Sequence, residues 1–483
     1  MTYDGPTELY VDGEWVQAES GDTIETIDPA TEEPYATVQC AGAADVDRAV
    51  AAAEAAAARD GAWRTTDPRE RSRALHAMAD FVEDHFDEIV MVESRDNGKT
   101  PFEARIDVNM AAETFRYFAG WADKVEGSQI PVPGERLDYA VREPLGVTGH
   151  IVPWNYPFQL ASRSIAPALA TGNTVVLKPA EQTPLSALYY GLAAEHADLP
   201  DGVLNVVPGY GVPAGEALAS NPAVDHVAFT GSTAVGKQVM SNAAENVTDV
   251  TLELGGKGPN VVFADADLDA AAKGIQYGIF MNGGQMCWAG SRLVVHESVH
   301  DELLDRVVGA AESLPLGSGI DDDGRMGPLV SAEQYDRVTD YIETGREEGA
   351  ELVTGGGRPE DHDVGYFVEP TVFEGVTNDM TIAREEIFGP VLSVIEFADR
   401  EEALEIANDS PYGLMAGVWT SDLRTGHWMA DRLEYGMVSV NEYPVTHPQT
   451  PFGGVKQSGL GREQGAEAIR TYTQAKNVNI NYE

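Results

Sequence analysis

The spacing of apolar positions changes character along the chain, and each change predicts a different element. Over the first 120 residues the rhythm is mainly helical. Leu75, Met78, Val82, Phe86 and Ile89 recur three to four residues apart, which puts them on one helix face, with Asp67-Pro68 as a cap and first-turn proline at the start and Asn97-Gly98 at the stop. From Gly146 onward, short β-branched runs (GVTGHIV, TVVLK, VLNVV, VDHVAF, VTDVTLEL) alternate with helical stretches such as PFQLASRSIAPALA and PLSALYYGLAAEHA. In the latter, Thr183-Pro184 repeats the cap-and-proline start, and Leu185, Leu188, Tyr189 and Leu192 form one stripe. Continuously apolar strands separated by crossover helices predict a parallel sheet covered on both faces, whose ligand crevice lies at the carboxyl ends of the strands. After residue 256 a second α/β region follows, with strands near Asn260 to Phe263, Arg292 to Val295 and Val391 to Glu396. At the chain end Val478, Ile480 and Tyr482 alternate with Asn477, Asn479 and Asn481, a half-buried strand. Together with the extended stretch from Ile130 to Arg142 it is suited to pairing with another subunit.

The 483 residues set a prior of about three structural units. Charge is the outlier, with 79 acids against 32 bases and a net charge of -47. Such a surface repels phosphate backbones and anionic lipid, so nucleic acid and membranes are not expected as partners. Eight of the bases are lysine and the acids are spread along the whole chain, a pattern that suggests a halophile. In molar salt the Debye length falls to about 3 Å, which makes self-repulsion of this size tolerable. Only Cys40 and Cys287 are present, which gives neither a disulfide framework nor a zinc site and points to a reducing compartment. The N-terminus shows no basic start and no apolar core, and no 18-residue apolar run occurs, so a soluble cytoplasmic protein is expected.

Several strings carry candidate chemistry. In VDHVAFTGSTAVGK a strand ends at Phe229, and Gly231-Ser-Thr-Ala-Val-Gly236 opens a helix whose free N-H groups and positive end suit a phosphate. Gly209-Tyr-Gly211-Val-Pro-Ala-Gly215 also follows a strand but misses the dinucleotide fingerprint by one residue. Lys178 and Glu181 lie just beyond another parallel strand, where a carboxylate and an ammonium can hold ribose hydroxyls. Taken singly, each of these is an ordinary loop. Cys287 lies in FMNGGQMCWAGSRL, where Asn282-Gly-Gly284 argues for a turn with close backbone approach, which suits an exposed thiol and an N-H oxyanion donor. Glu253 ends an apolar strand before two glycines, and a buried carboxylate there is costly unless it has work to do. His296-Glu-Ser-Val-His300 matches a zinc-protease string, but RLVVH reads as a strand end and Ser298 as a helix cap, so the histidines do not share a helix and no metal is expected.

Seven strings, in this order, resemble the NAD(P)-dependent aldehyde dehydrogenases almost end to end: VPWNYPF, LKPAEQTP, FTGSTAVG, LELGGKGPN, GGQMCWAGSR, EEIFGPV and PFGGVKQSGLGRE. The acidic composition makes the chain similar to a haloarchaeal member. The resemblance implies a Rossmann-like cofactor domain (1–125 and 145–255), an α/β catalytic domain (256–465) and a β-strand oligomerisation arm (126–144 and 466–483) in a homodimer or homotetramer. It further implies Cys287 as nucleophile, Glu253 as base and Asn155 as oxyanion donor. Glu386 and Phe388 match the residues at the nicotinamide ribose and Ser232 a pyrophosphate contact. Val152, Pro153, Trp154, Lys178, Glu181, Gly211, Gly231, Gly236 and Leu254 complete the expected cofactor set. Glu181 favours NAD, because its charge repels a 2′-phosphate, although some relatives accept NADP as well.

Tyr156, Arg163, Met281 and Phe452 match positions that line the aldehyde tunnel. Arg163 resembles the arginine of semialdehyde dehydrogenases that pairs with a distal carboxylate, with a surface salt bridge as its ordinary alternative. Arg163 and Met281 depart from the aromatic box that a betaine or aminoaldehyde substrate needs. The expected substrate is an aliphatic aldehyde or ω-semialdehyde, oxidised to the acid through a thiohemiacetal and a thioester on Cys287. Three other readings were weighed. A non-enzymatic structural member is expected to have lost the three catalytic residues, a CoA-acylating relative needs no base at Glu253, and a Cys-His hydrolase needs a histidine that no string places near Cys287.

Overall fold

A computed structural model describes residues 3–320, 322–444 and 446–482. Two large sheets organise the chain. In the first, five strands run parallel in the spatial order Asp249–Glu253, His226–Thr230, Val147–Ile151, Thr174–Lys178, Leu204–Val206. Val147–Ile151 and Thr174–Lys178 are buried at every residue, as strands with helices on both faces must be. Antiparallel strands close both edges: Leu9–Val11 and Glu14–Val16 on one side, Gly459–Leu460 on the other. The second sheet orders Glu351–Thr354, Thr371–Glu374, Val391–Phe397, Arg292–His296, Pro259–Val262, Met415–Trp419 and Met437–Val440, parallel throughout except for the first. This is the α/β architecture the apolar pattern predicts. The chain then returns to the first sheet, where Gly459 pairs with Glu253 and ties the late sequence to the strand end that carries the acid.

A third sheet pairs Thr473–Asn481 antiparallel with Arg136–Pro144, and Ser128–Ile130 lies on the far side. Of its expected half-buried residues, Ile480 is 41% and Tyr482 61% exposed, so this edge is open in the single chain. No helix among the described residues is long and apolar enough to cross a membrane.

Three local expectations are corrected. The run from Leu75 to Ile89 is not one helix but two, Pro68–Asp84 and Phe86–Asn97, broken at His85 (φ -105°, ψ 19°). Both bury the same apolar face, so the spacing carries through the break. The outer caps hold as read: Asp67 accepts from the Arg69 N-H, and Gly98 ends the second helix at φ 90°. Thr183 does not cap the helix Leu185–His196. Its hydroxyl donates instead to the Trp154 carbonyl at 3.4 Å, and Asp96 from a distant helix accepts the Leu185 N-H at 2.9 Å. The first 120 residues also hold four strands: Leu9–Val11 and Glu14–Val16, three residues each and too short to show a period, and Thr23–Asp28 and Glu33–Gln39, where polar residues such as the buried Thr26 interrupt the apolar alternation. The one local sign was Asp12-Gly13, both at positive φ (55° and 76°), the two-residue turn that joins the first pair.

Candidate active site

The carboxyl ends of the first sheet's strands form one row. Ile151 pairs laterally with Lys178 and with Phe229, and Thr230 pairs with Glu253. The loops leaving that row therefore carry Pro153 to Tyr156, Glu181, Gly231-Ser232 and Leu254 to Gly256 to one edge. Ser232 caps the helix Thr233–Ala244, its hydroxyl accepting from the Val235 N-H at 3.3 Å.

Cys287 arrives from the second half of the chain. The helix Leu268–Phe280 ends in a tight turn, Met281–Gly284, with Asn282, Gly283 and Gly284 all at positive φ (51°, 58° and 72°). A Cβ on Gly284 would lie 2.1 Å from the Gly389 carbonyl, so only glycine lets the segment that leads to Cys287 pack there. A Cβ on Gly256 would likewise lie 2.2 Å from the Cys287 carbonyl, which seats the loop after Glu253 directly on the cysteine backbone.

Two cavities meet at Cys287, which is partly exposed. One, of about 250 Å³, has Pro153, Trp154, Asn155, Gly231, Ser232, Glu253, Glu386 and Phe388 in its wall. The other, of about 310 Å³, has Tyr156, Arg163, Met281, Trp288 and Phe452. The expected catalytic trio and half of the expected cofactor set thus share the first cavity, and the four expected tunnel residues share the second. Six of the cofactor set line neither. Val152 is buried and donates its N-H to the Lys178 carbonyl at 3.1 Å, while Leu254 packs against Gly236, where a Cβ would approach it to 2.4 Å. Gly211 is exposed at the start of its turn. Lys178 and Glu181 lie further along the edge, 3.7 Å apart, with the Lys178 ammonium also donating to the Gly209 carbonyl at 2.6 Å.

The first cavity has the donor set that a dinucleotide needs. A helix N-terminus capped by Ser232 faces it. The Glu386 carboxylate is fixed there by the Gly256 N-H at 2.9 Å, and a Cβ on Gly255 would lie 2.2 Å from that carboxylate. Phe388 is held at φ 64°, edge-on to Trp154 with ring centres 5.2 Å apart. Nothing in the local sequence indicated Arg337, which comes from the helix Ala332–Glu347 and donates to the Glu386 backbone carbonyl at 2.7 Å.

Arg163 is in the tunnel wall, but its ordinary alternative, a surface salt bridge, is corrected: it is buried and ion-paired with Glu463, and its guanidinium lies 4.2 Å from the centre of the Phe452 ring. Phe452 and Glu463 exchange two backbone hydrogen bonds, 2.7 and 2.8 Å, so stacking and pairing partner come from one hairpin-like bridge. Glu463 lies in the PFGGVKQSGLGRE string, which gives it no role of its own; the partner it needs as a buried acid is Arg163. His296 ends a strand and accepts from the Ser298 N-H at 3.2 Å, while His300 begins the helix His300–Glu312, so the two histidines are not on one helix.

Electrostatics set the resting state of the site. Burial pushes the Cys287 thiol up to about 12; Arg163 opposes this, and Glu386 and Glu253 add to it. Burial also raises the Glu253 carboxyl well above its usual range, helped by Glu463 and opposed by Arg163 and Arg462. The thiol is therefore mostly protonated at neutral pH. Because the thiolate is the nucleophile, alkylation of Cys287 by iodoacetamide in the free protein is expected to rise about tenfold per pH unit from pH 7 to 9. A rate already level by pH 7 would show a depressed thiol instead.

Comparison with known proteins agrees with this geometry. Residues 15–478 match the Aldehyde dehydrogenase family. The aldehyde dehydrogenase of Alternaria alternata is 47% identical over 480 residues, covering 99% of this chain and 96% of that protein. Human retinal dehydrogenase 2 is 45% identical over 479 residues, 98% of this chain and 92% of its own. An NAD+ complex of aldehyde dehydrogenase from Bacillus cereus superposes with a TM-score of 0.97 at 46% identity, covering 99% of this chain and 97% of that one.

Proposed function

The chain belongs to the aldehyde dehydrogenase family and is an enzyme that oxidises an aldehyde to the carboxylic acid with NAD; from that premise we propose that Cys287, Glu253 and Asn155 carry the reaction. The observation that supports this most is the position of Cys287 in the walls of both cavities, where it would stand between a dinucleotide in the first and an aldehyde in the second.

As thiolate, Cys287 attacks the aldehyde carbon to give a thiohemiacetal oxyanion. One N-H of the Asn155 amide is taken by the Gln285 carbonyl at 2.8 Å. Its second N-H, with a backbone N-H of the cysteine loop, holds the oxyanion, a donor worth about 10² to 10³ in rate. The chemistry that NAD supplies when bound is acceptance of a hydride from that carbon, after which a thioester remains on Cys287. Glu253 takes a proton from water, which attacks the thioester and releases the acid and the cysteine, an effect of about 10² to 10⁴. Pro153, Trp154, Gly231, Ser232, Glu386 and Phe388 would hold the nicotinamide and pyrophosphate end, and Lys178 and Glu181 the adenosine ribose. Gly236 and Leu254 support that cradle from below. Val152 supports the loop that follows it, and Gly211 stands at the outer rim. A base at Glu253 favours hydrolysis over release to CoA.

The tunnel residues Tyr156, Arg163, Met281 and Phe452 support a neutral aldehyde with an apolar tail over an ω-semialdehyde. The Arg163 charge is already balanced by Glu463, and the other charged groups in that wall are the acids Asp107 and Glu442. A second carboxylate brought into that wall would be buried without a free cation. The test is a panel in which hexanal is expected to exceed succinic semialdehyde in kcat/KM by at least about 100-fold, and NAD to exceed NADP by at least about tenfold. A semialdehyde preferred over hexanal overturns the substrate reading, and equal use of NADP overturns the role of Glu181.

The remaining expectations are part of the same proposal. Residues 1–125 and 145–255 form the cofactor domain, 256–465 the catalytic domain, and 126–144 with 466–483 an arm whose open edge at Ile480 and Tyr482 suits a homodimer or homotetramer in the cytoplasm. The net charge of -47 suits a halophilic, haloarchaeal-like protein. Its melting temperature is expected to rise between dilute buffer and molar salt, because screening removes self-repulsion. An unchanged or falling value counts against adaptation to salt.

A further inference from the structure

A charged cluster that takes no direct part in the chemistry is buried beneath the loop that presents Asn155. Lys99 sits in the short connection between the helices Phe86–Asn97 and Pro101–Ala119, and its side chain is fully enclosed. Its ammonium has three hydrogens to donate. One goes to Asp107 in a short ion pair, one points to Glu93 at 3.5 Å, and one to the backbone carbonyl of Asn155 at 2.9 Å. The ammonium also lies 4.3 Å from the centre of the Tyr156 ring. Burial pushes its amine down, but Asp107 and Glu93 outweigh this and hold it above the ordinary lysine value, so it stays charged.

The same carbonyl accepts a second bond, from the Asn282 amide at 3.0 Å, so both of its lone pairs are committed. Asn282 is itself fixed, since its N-H donates to Glu103 at 2.6 Å from the left-handed region. One residue earlier, the Trp154 carbonyl accepts from the Asn97 amide at 2.7 Å. The peptide units around Asn155 are thus clamped from below by the 97–103 turn and from the side by the cysteine loop. A buried lysine between carboxylates is a costly way to fill space, since apolar residues of similar volume stabilise at least as well. Its third hydrogen is what an apolar residue does not replace.

We infer that Lys99 is a positioning residue for the oxyanion: by holding the Asn155 peptide it sets where the Asn155 amide stands relative to Cys287. The inference rests on the proposed role of Asn155. A misplacement of about 1 Å in such a donor can cost about 100-fold in rate.

The test is a double-mutant cycle on kcat between Lys99→Met and Asn155→Ala in the full-length enzyme, with hexanal and NAD. Lys99→Met is expected to lower kcat by about 10- to 100-fold, while KM for NAD and the iodoacetamide rate at Cys287, which needs no oxyanion donor, stay within about twofold. In the Asn155→Ala background, where no amide is left to position, the same change is expected to remove less than about twofold more. Equal losses in both backgrounds, or an undiminished kcat in Lys99→Met, overturn the inference and leave Asn155 in its role. An undiminished kcat in Asn155→Ala overturns that role and the inference with it. If Lys99→Met does not fold, because Asp107 and Glu93 are left unpaired, the cycle is run with Lys99→Met/Asp107→Asn against Asp107→Asn alone, with the same expectations.

Discussion

Cys287→Ala is expected to lower aldehyde turnover by about 10⁴-fold or more, the scale on which enzymes lose a covalent nucleophile. Dinucleotide affinity is expected to stay within about twofold, because only a sulfur at the junction of the two cavities is removed and the donors around the first cavity are untouched. The folded structure should survive as well. The residue is partly exposed, so truncation removes little packing, and a melting temperature near that of the parent is the control. Cys40→Ala is the companion variant. That thiol is buried in a separate core and lines neither cavity, so its removal is expected to leave turnover intact. Steady-state formation of reduced nicotinamide checks both variants. Loss of activity with Cys40 and not with Cys287 would move the chemistry elsewhere.

Glu253→Gln is expected to separate the two halves of the reaction. The amide keeps the shape of the side chain but cannot take a proton from water, so steady-state turnover falls by about 10² to 10⁴. In the proposed mechanism Glu253 acts on the water and not on the aldehyde, so acylation is expected to proceed without it. One equivalent of reduced nicotinamide per active site should therefore appear in a rapid burst before the slow phase. The pH dependence follows from the raised carboxyl: its basic form grows as pH rises toward that raised value, so thioester hydrolysis in the parent enzyme should accelerate with pH. In Glu253→Gln that acceleration should be lost over the same range. A variant with full turnover and no burst would assign the base to another group, Glu463 being the acid that acts most strongly on Glu253.

Much of this site could be read from the sequence because its parts stand at features that local pattern encodes. Glu253 ends an apolar strand, Ser232 caps a helix after one, and Cys287 follows an Asn-Gly-Gly turn, so hydrophobic rhythm and turn chemistry mark all three as candidates, and their roles are what the family resemblance implies. What escaped depends on residues far apart in the chain. Arg163 and Glu463 are 300 positions apart, and only the fold shows that the arginine already has a carboxylate. Lys99 looks like an ordinary residue after a helix stop until its ammonium is seen beneath Asn155. The same holds for secondary structure. Asp96 replaced Thr183 as the group at the start of Leu185–His196 because a tertiary contact was available and the threonine hydroxyl had a carbonyl within reach. Of the cofactor set, Gly236 and Leu254 pack on each other and line neither cavity, which a motif does not distinguish from contact with a ligand.

In the proposed mechanism the substrate acyl group is carried on one particular sulfur. Mixing Glu253→Gln with NAD and hexanal, quenching in acid within the burst and weighing the protein measures it directly. The expected result is the added mass of a hexanoyl group, confined on digestion to the peptide that contains Cys287. Full release of reduced nicotinamide with no adduct, or an adduct on any other peptide, would contradict it.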